Sequence, residues 1–199
     1  MQPLTIHTGH AVPLRRGNVD TDQIIPARYC RTISRTGFAD HLFDTWRQDP
    51  DFVLNKPEHV GASILLAESD FGTGSSREHA VWALQDFGFR VVISARFGDI
   101  FRSNATKSGL LPAQLDVTAV TALQDRVETD PTATVTVDVV QRKVRCADLA
   151  FPLDIDEFTR HRFLEGLDDI GLTLRHQDAV TAYEHRRPAD LPTIAAGDR

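Results

Sequence analysis

An α/β fold is predicted by three features of this chain. ASILLA (Ala62–Ala67) and VVISA (Val91–Ala95) are short unbroken apolar runs, the pattern of strands buried on both faces. A helical apolar stripe lies between them, which makes a βαβ unit. Farther on, apolar residues alternate over VTVDVV (Val135–Val140) and KVRCADL (Lys143–Leu149), so an antiparallel pair is expected beside that unit.

The elements follow from local signals. DQIIPARY (Asp22–Tyr29) has an apolar pair stopped by Pro26. The polar stretch from Arg28 to Lys56 then reads either as a lid or specificity loop, or as a region holding a helix around Ala39–Arg47. From Ser76 to Phe87, the side chains of Ala80, Ala83, Leu84 and Phe87 share one helical face, and Gly88 stands where a left-handed terminator belongs. A second helix is expected over Gly98–Lys107, ended by Gly109 with Pro112 beyond. The short Gln141-Arg142 link suggests a hairpin, although neither residue is favoured in such turns. Asp154 is the expected cap of a helix through Leu167, with Phe158, Phe163, Leu164 and Leu167 facing the core. HQDAVTAYEHR (His176–Arg186) reads as a last helix. Residues 1–185 are thus expected to form one domain, and 186–199 a flexible tail.

Composition narrows the functional classes. Lys and Arg number 22 against 28 Asp and Glu, a formal net charge of -6, which argues against a general nucleic-acid or anionic-membrane binder. An anionic substrate would need a focused group of arginines. Cys30 and Cys146 are the two cysteines, far apart and outside any CxxC spacing, so this chain alone cannot supply the several thiolates of a zinc or iron–sulfur site. Few cysteines, no leader-like N-terminus and no apolar run of membrane-spanning length together lead us to expect a cytoplasmic protein with no membrane partner.

The densest chemistry lies in DFGTGSSREHA (Asp70–Ala80), which supports three readings. Ser75-Ser76-Arg77-Glu78 fits a capping box, with Ser75 bonding the Glu78 amide. The glycines would also let backbone amides approach a phosphate, but no GxxxxGK[ST] is present and Arg77 stands where GxGxxG needs its third glycine. In the third reading Ser75 is a base and Arg77 a carboxylate clamp. A helix terminus contributes about 0.3–1 kcal/mol to a nearby anion and a pKa unit is worth about 1.36 kcal/mol, so the dipole alone does not make serine a base. Arginines, backbone donors or a metal would have to supply the rest.

Other clusters stay open on sequence alone. Asp20 and Asp22 in NVDTDQ are either Asx-turn residues or paired catalytic carboxylates, with the turn favoured. His79 reads as a hydrogen-bonded structural histidine rather than a ligand, and Arg102, Asn104 and Lys107 as solvated helix positions rather than binding contacts.

Four blocks occur in order across nearly the whole chain: RGNVDTDQIIPARY (Arg16–Tyr29), DFGTGSSREHA, DIFRSNATKSGLLP (Asp99–Pro112) and GLDDIGLTLRHQDAV (Gly166–Val180). Together they resemble the small-subunit family of 3-isopropylmalate dehydratases within the aconitase superfamily. The resemblance implies a swivelling β/β/α domain with a mostly parallel βαβ core and a C-terminal helical segment. It also implies hydro-lyase chemistry shared with a large subunit that carries a 4Fe–4S cluster, this chain binding no cofactor or metal itself. By position in the family motif, Ser75 corresponds to the catalytic base, and Ser76 and Arg77 to substrate-binding groups. Arg16 corresponds to a second carboxylate-binding arginine, with Arg15 an adjacent competitor. ARYCRTIS (Ala27–Ser34) falls where the superfamily reads the substrate's side group: Tyr29 and Ile33 would suit an isopropyl group, Arg28 and Arg31 (with Arg35 nearby) an acidic one. Homocitrate-type and methylmalate-type dicarboxylates therefore remain rival substrates, and a non-catalytic interaction module the rival of another class.

Overall fold

The computed structural model describes residues 1–31, 34–188 and 191. Among them seven strands join one mixed sheet: β1 (Ile6–Leu14), β2 (Ile64–Ala67), β3 (Val91–Ser94), β4 (Leu111–Gln114), β5 (Thr134–Asp138), β6 (Lys143–Cys146) and β7 (Leu149–Pro152). Their order is β4-β3-β2-β1-β5-β6-β7. β1 is the spine. Its second half runs parallel to β2, with Ala11 opposite Ile64, while its first half runs antiparallel to β5, with Ile6 opposite Asp138. Because β5 pairs only with residues 6–10, the flank of Pro13 away from β2 carries no ladder, which is where a strand tolerates proline.

The described residues also form seven α-helices: α1 (Thr21–Ile24), α2 (Glu78–Phe87), α3 (Asp99–Ser108), α4 (Val117–Thr129), α5 (Glu157–Glu165), α6 (Asp169–Leu174) and α7 (Gln177–Arg186). Leu65, Ala67 and Val92 join Ala80, Ala83, Leu84 and Phe101 in a core on one face, together with Phe38, Phe43 and Phe52 from the 28–56 segment. On the other face Ile64, Leu66, Val91 and Ile93 pack with Ala119, Val120, Leu123 and Val127 of α4, and with Phe163 of α5. Burial on both faces explains why β2 and β3 read as unbroken apolar runs.

Several expectations are corrected. α2 begins at Glu78 rather than Ser76, because Arg77 is extended (φ -139°, ψ 107°) and acts as the cap residue without a side-chain bond. The Ser75 capping box does not form. The alternating run after β5 is two strands rather than one, since Ala147 takes a positive φ of 51° and turns β6 back into β7. The β5–β6 turn takes four residues, 139–142, with Asp138 Oδ1 accepting the Gln141 amide at 2.7 Å. Asp156 rather than Asp154 caps α5, accepting from the Thr159 amide, and the helix stops at Gly166 (φ 67°) before Leu167. Phe158 is 61% exposed rather than in the core. The Ala39–Arg47 region is two short 3-10 turns, Ala39–His41 and Trp46–Gln48, rather than a helix. Arg102 is not simply solvated, since it donates to Gln114 Oε1 at 2.8 Å. Lys107 pairs with Asp169 at 3.6 Å. Most of the expected tail lies outside the described residues.

Two features of this fold have measurable effects on stability. Gly61 (φ 77°) has open space around a would-be Cβ, whereas at Gly72 (φ 76°) the added atom would overlap the Phe101 ring. Gly61→Ala should cost about 1–2 kcal/mol for the left-handed backbone. Gly72→Ala should cost about 1–3 kcal/mol more, read as a lower urea midpoint at unchanged slope, and equal losses would contradict the packing. The second effect concerns pH. Burial lowers the pKa of His7 and His59 below the ordinary histidine value. The unfolded chain then binds protons first, so their contribution is complete above about pH 6.5 and declines as pH falls below it. Urea midpoints should fall between pH 7.5 and 5.5, and a His7→Asn/His59→Gln double variant should show a flatter decline; an unchanged slope would remove these histidines from the account.

Candidate active site

Three loops meet at the carboxyl ends of the parallel strands: residues 15–20 after β1, 68–77 after β2 and 95–98 after β3. This is the edge at which open parallel sheets gather ligand groups. Backbone bonds stitch the loops together. Gly72 and Thr73 donate their amides to the Val19 carbonyl at 2.7 and 3.1 Å, and Thr21 donates its amide to Thr73 at 3.0 Å. From the other side, Phe71 donates to Arg96 at 3.0 Å and Gly98 donates to Phe71 at 2.9 Å. A Cβ at Gly98 would collide with the Gly72 backbone, so the third loop approaches closely only because that position is glycine.

This frame raises Ser75 and Ser76 into solvent. Gly74 takes a positive φ of 85° just before them, and the Thr21 hydroxyl donates to the Ser75 carbonyl at 2.9 Å. Arg77 is more enclosed. Its Nη1 pairs with Asp22 Oδ1 and lies 3.5 Å from the Ile25 carbonyl. The bond to Asp22 leads the effects that raise the Arg77 pKa, so the guanidinium stays charged at any working pH. Asp20 is a structural cap: Oδ1 accepts the Gln23 amide at 2.8 Å, and Gln23 Oε1 accepts the Asp20 amide at 2.9 Å. The turn reading therefore holds for Asp20, while Asp22 has become the partner of Arg77.

The two N-terminal arginines have different surroundings. Arg15 is captured by α4, donating to Glu128 at 2.8 and 2.9 Å and to Gln124 at 3.3 Å, and pairing with Asp125. Bonds to Glu128 and then Asp125 raise its pKa, which ties it to those carboxylates. Arg16 instead lies over the Trp46 ring, 4.4 Å from the centroid, with Phe52 at 5.9 Å. A cation over an aromatic face is oriented without being neutralised. Sequence reasoning missed Trp46 in this role, and its only signal was an aromatic within the polar 28–56 region.

The 27–34 segment is partly committed to contacts of its own. Arg28 pairs with Asp44 and stands 4.8 Å over the Tyr29 ring, and Tyr29 stacks on His41 with centroids 3.8 Å apart. Arg31 is exposed, and Ile33 lies outside the described residues. Cys30 is half-buried, and desolvation raises its thiol pKa against a smaller opposing effect of Arg77. Cys146 is buried in β6. Two thiols in separate elements do not fit a multi-thiolate cluster, and the described residues contain no group of three or more His, Cys, Asp or Glu suited to a metal ion. His79 packs edge-on against Phe38 and beside Trp82, with centroids at 5.4 and 4.7 Å. The broad groove between α2, α3 and α6, lined by Trp82, Gln85, Lys107 and Asp169, reaches Glu78 but includes neither Ser75 nor Arg77. Ser75 and Ser76 thus lie exposed beside that groove, with the partly buried Arg77 next to them. No helix among the described residues is long and apolar enough to cross a membrane.

A family model described as the aconitase C-terminal domain matches residues 1–118. A second, described as the C-terminal domain of the 3-isopropylmalate dehydratase small subunit, matches residues 169–196. The 3-isopropylmalate dehydratase small subunit of Acidothermus cellulolyticus is 68% identical over 98% of this chain and 100% of its own length. That of Thermobifida fusca is 58% identical over 96% of this chain and 98% of its own length. A crystal structure of a 3-isopropylmalate dehydratase from Methanocaldococcus jannaschii is similar at a TM-score of 0.66 and 25% identity, over 90% of this chain and 99% of that one. On its sequence, its fold and these likenesses, the chain belongs to the family of 3-isopropylmalate dehydratase small subunits, built on the aconitase C-terminal domain.

Proposed function

We propose that this chain supplies one half of the active site of a 3-isopropylmalate dehydratase, the hydro-lyase that isomerises 2- and 3-isopropylmalate in leucine biosynthesis. The observation that carries this reading is the exposed Ser75 beside Arg77 on a loop pinned from two sides. Ser75 is the base that removes the proton from the carbon next to a substrate carboxylate, giving isopropylmaleate, and returns a proton when water adds in the other sense. Arg77 grips one carboxylate and Arg16 the other, with Ser76 as a further hydrogen-bonding group. Arg16 is preferred to Arg15 because Arg15 is already held by Glu128 and Asp125.

Departure of hydroxide calls for a Lewis acid, and we assign it to a 4Fe–4S cluster on a large partner subunit, since Cys30 and Cys146 do not fit such a cluster here. An open site surface agrees with completion by a second protein. Tyr29 on His41, and Arg28 already paired with Asp44, favour an uncharged alkyl side group over an acidic one in the 27–34 segment. Ile33 and Arg31 belong to the same segment in this reading. We also take residues 1–185 as one domain, a view supported by the single sheet from β4 to β7, and the enzyme as cytoplasmic.

In the complex reconstituted anaerobically with its large subunit, Ser75→Ala should lower turnover by about 10²–10⁴-fold while heteromer assembly and the urea midpoint stay close to wild type. Wild-type-like isopropylmaleate formation in that variant would refute the base assignment. With the unmodified chain, isopropylmaleate should be the preferred intermediate over homoaconitate and citraconate; preference for homoaconitate would instead favour the acidic-side-group reading.

A further inference from the structure

We infer that α1 is a positioning element with two separate prongs, Thr21 setting the serine and Asp22 setting the arginine. The inference rests on the roles proposed above for Ser75 and Arg77. Thr21 is 3% exposed, and it holds the neighbouring loop twice: its amide donates to the Thr73 carbonyl at 3.0 Å, its hydroxyl to the Ser75 carbonyl at 2.9 Å. The two bonds flank Gly74, whose backbone is otherwise free to turn the Ser75 peptide. One residue, through its backbone and its side chain, therefore fixes the direction in which Ser75 leaves the loop.

Asp22 acts on the other group. It pairs with Nη1 of Arg77, and Nη1 is also the atom directed at the Ile25 carbonyl. Both contacts leave Nε and Nη2, the parallel donor pair with which a guanidinium grips a carboxylate. Asp22 thereby orients the fork without occupying its gripping edge. The element that carries the prongs is itself fixed: Asp20 and Gln23 close a reciprocal cap, Ile24 and Ile25 are fully buried, and the Phe43 amide donates to the Ile24 carbonyl at 2.8 Å. A four-residue helix has little stability of its own, so these contacts are what make it rigid.

Because each prong acts through a different group, their loss should separate in the kinetics of the reconstituted complex. Thr21→Val, which keeps shape and removes the hydroxyl, should lower kcat about tenfold or more with KM within about threefold, and Thr21→Ser should restore it. Asp22→Asn should raise KM about tenfold with kcat within about threefold, and should add nothing further in an Arg77→Lys background. Urea midpoints measured beside the kinetics separate positioning from folding. If both variants lower kcat and raise KM together in proportion to lost stability, α1 is only structural and the inference fails. A lower KM for Asp22→Asn would also overturn it, by showing that Asp22 competes with substrate for Arg77. Wild-type kinetics for both Ser75→Ala and Arg77→Lys would instead overturn the roles on which the inference rests.

Discussion

The carbonyl of Val19, which receives the amides of Gly72 and Thr73, is the contact on which the site depends. It joins the loop after β1 to the loop after β2, and the Thr21 amide returns a bond from the first loop to Thr73. The strands beneath fix where these loops start. Residues 11–14 of β1 and all of β2 are parallel neighbours buried on both faces, so their carboxyl ends emerge side by side with little freedom to shift. Gln124 reinforces the edge from α4. At 1% exposure it donates to the Leu14 and Leu66 carbonyls at 3.3 and 3.0 Å, where both strands are about to end.

The same residue takes part in sorting the two arginines. Gln124, Asp125 and Glu128 present acceptors along α4, and Arg15 is drawn onto them. Its neighbour Arg16 is left with an aromatic face in place of a carboxylate. A guanidinium whose Nε and both Nη atoms are all engaged, as in Arg15, has no donor edge left for a second anion, whereas one resting on tryptophan keeps its donors and its charge available. The packing of α4 against the far face of the sheet thus helps decide which arginine remains open.

Much of this was legible in the residues, and the gaps have physical causes. α2 and α3 were readable because each ends at a glycine that takes a left-handed conformation, Gly88 at φ 118° and Gly109 at φ 84°. β1 was not, since Gly9 and Pro13 interrupt its pattern and its first half faces solvent while its second half is buried. β4 escaped notice because Pro112, read as a helix stop, sits inside an edge strand that does not need its amide. α4 was hidden by its many β-branched residues, a weak local signal that the sheet overrides. At the site, S-x-x-E looked like a cap because the pattern carries no record of the extended backbone at Arg77. The motif that singled out Ser75 and Arg77 was local and Asp22 stood out only as a possible catalytic carboxylate, whereas its pairing with Arg77 and the placing of Thr21 and Trp46 depend on tertiary contacts, which the sequence pattern did not reveal.

The proposed function makes this a surface arranged for a reaction that it does not complete alone. On the proposed reading it offers Ser75 as a base with Arg16 and Arg77 as cations, while its two cysteines do not make a set of thiolates for a cluster. The most direct measurement is turnover of 3-isopropylmalate as this chain is titrated into a fixed amount of its large subunit under anaerobic conditions. Activity should be absent with either protein alone, rise with added chain and saturate at a defined stoichiometry. Turnover by this chain alone, or by the large subunit at an undiminished rate without it, would contradict a divided active site.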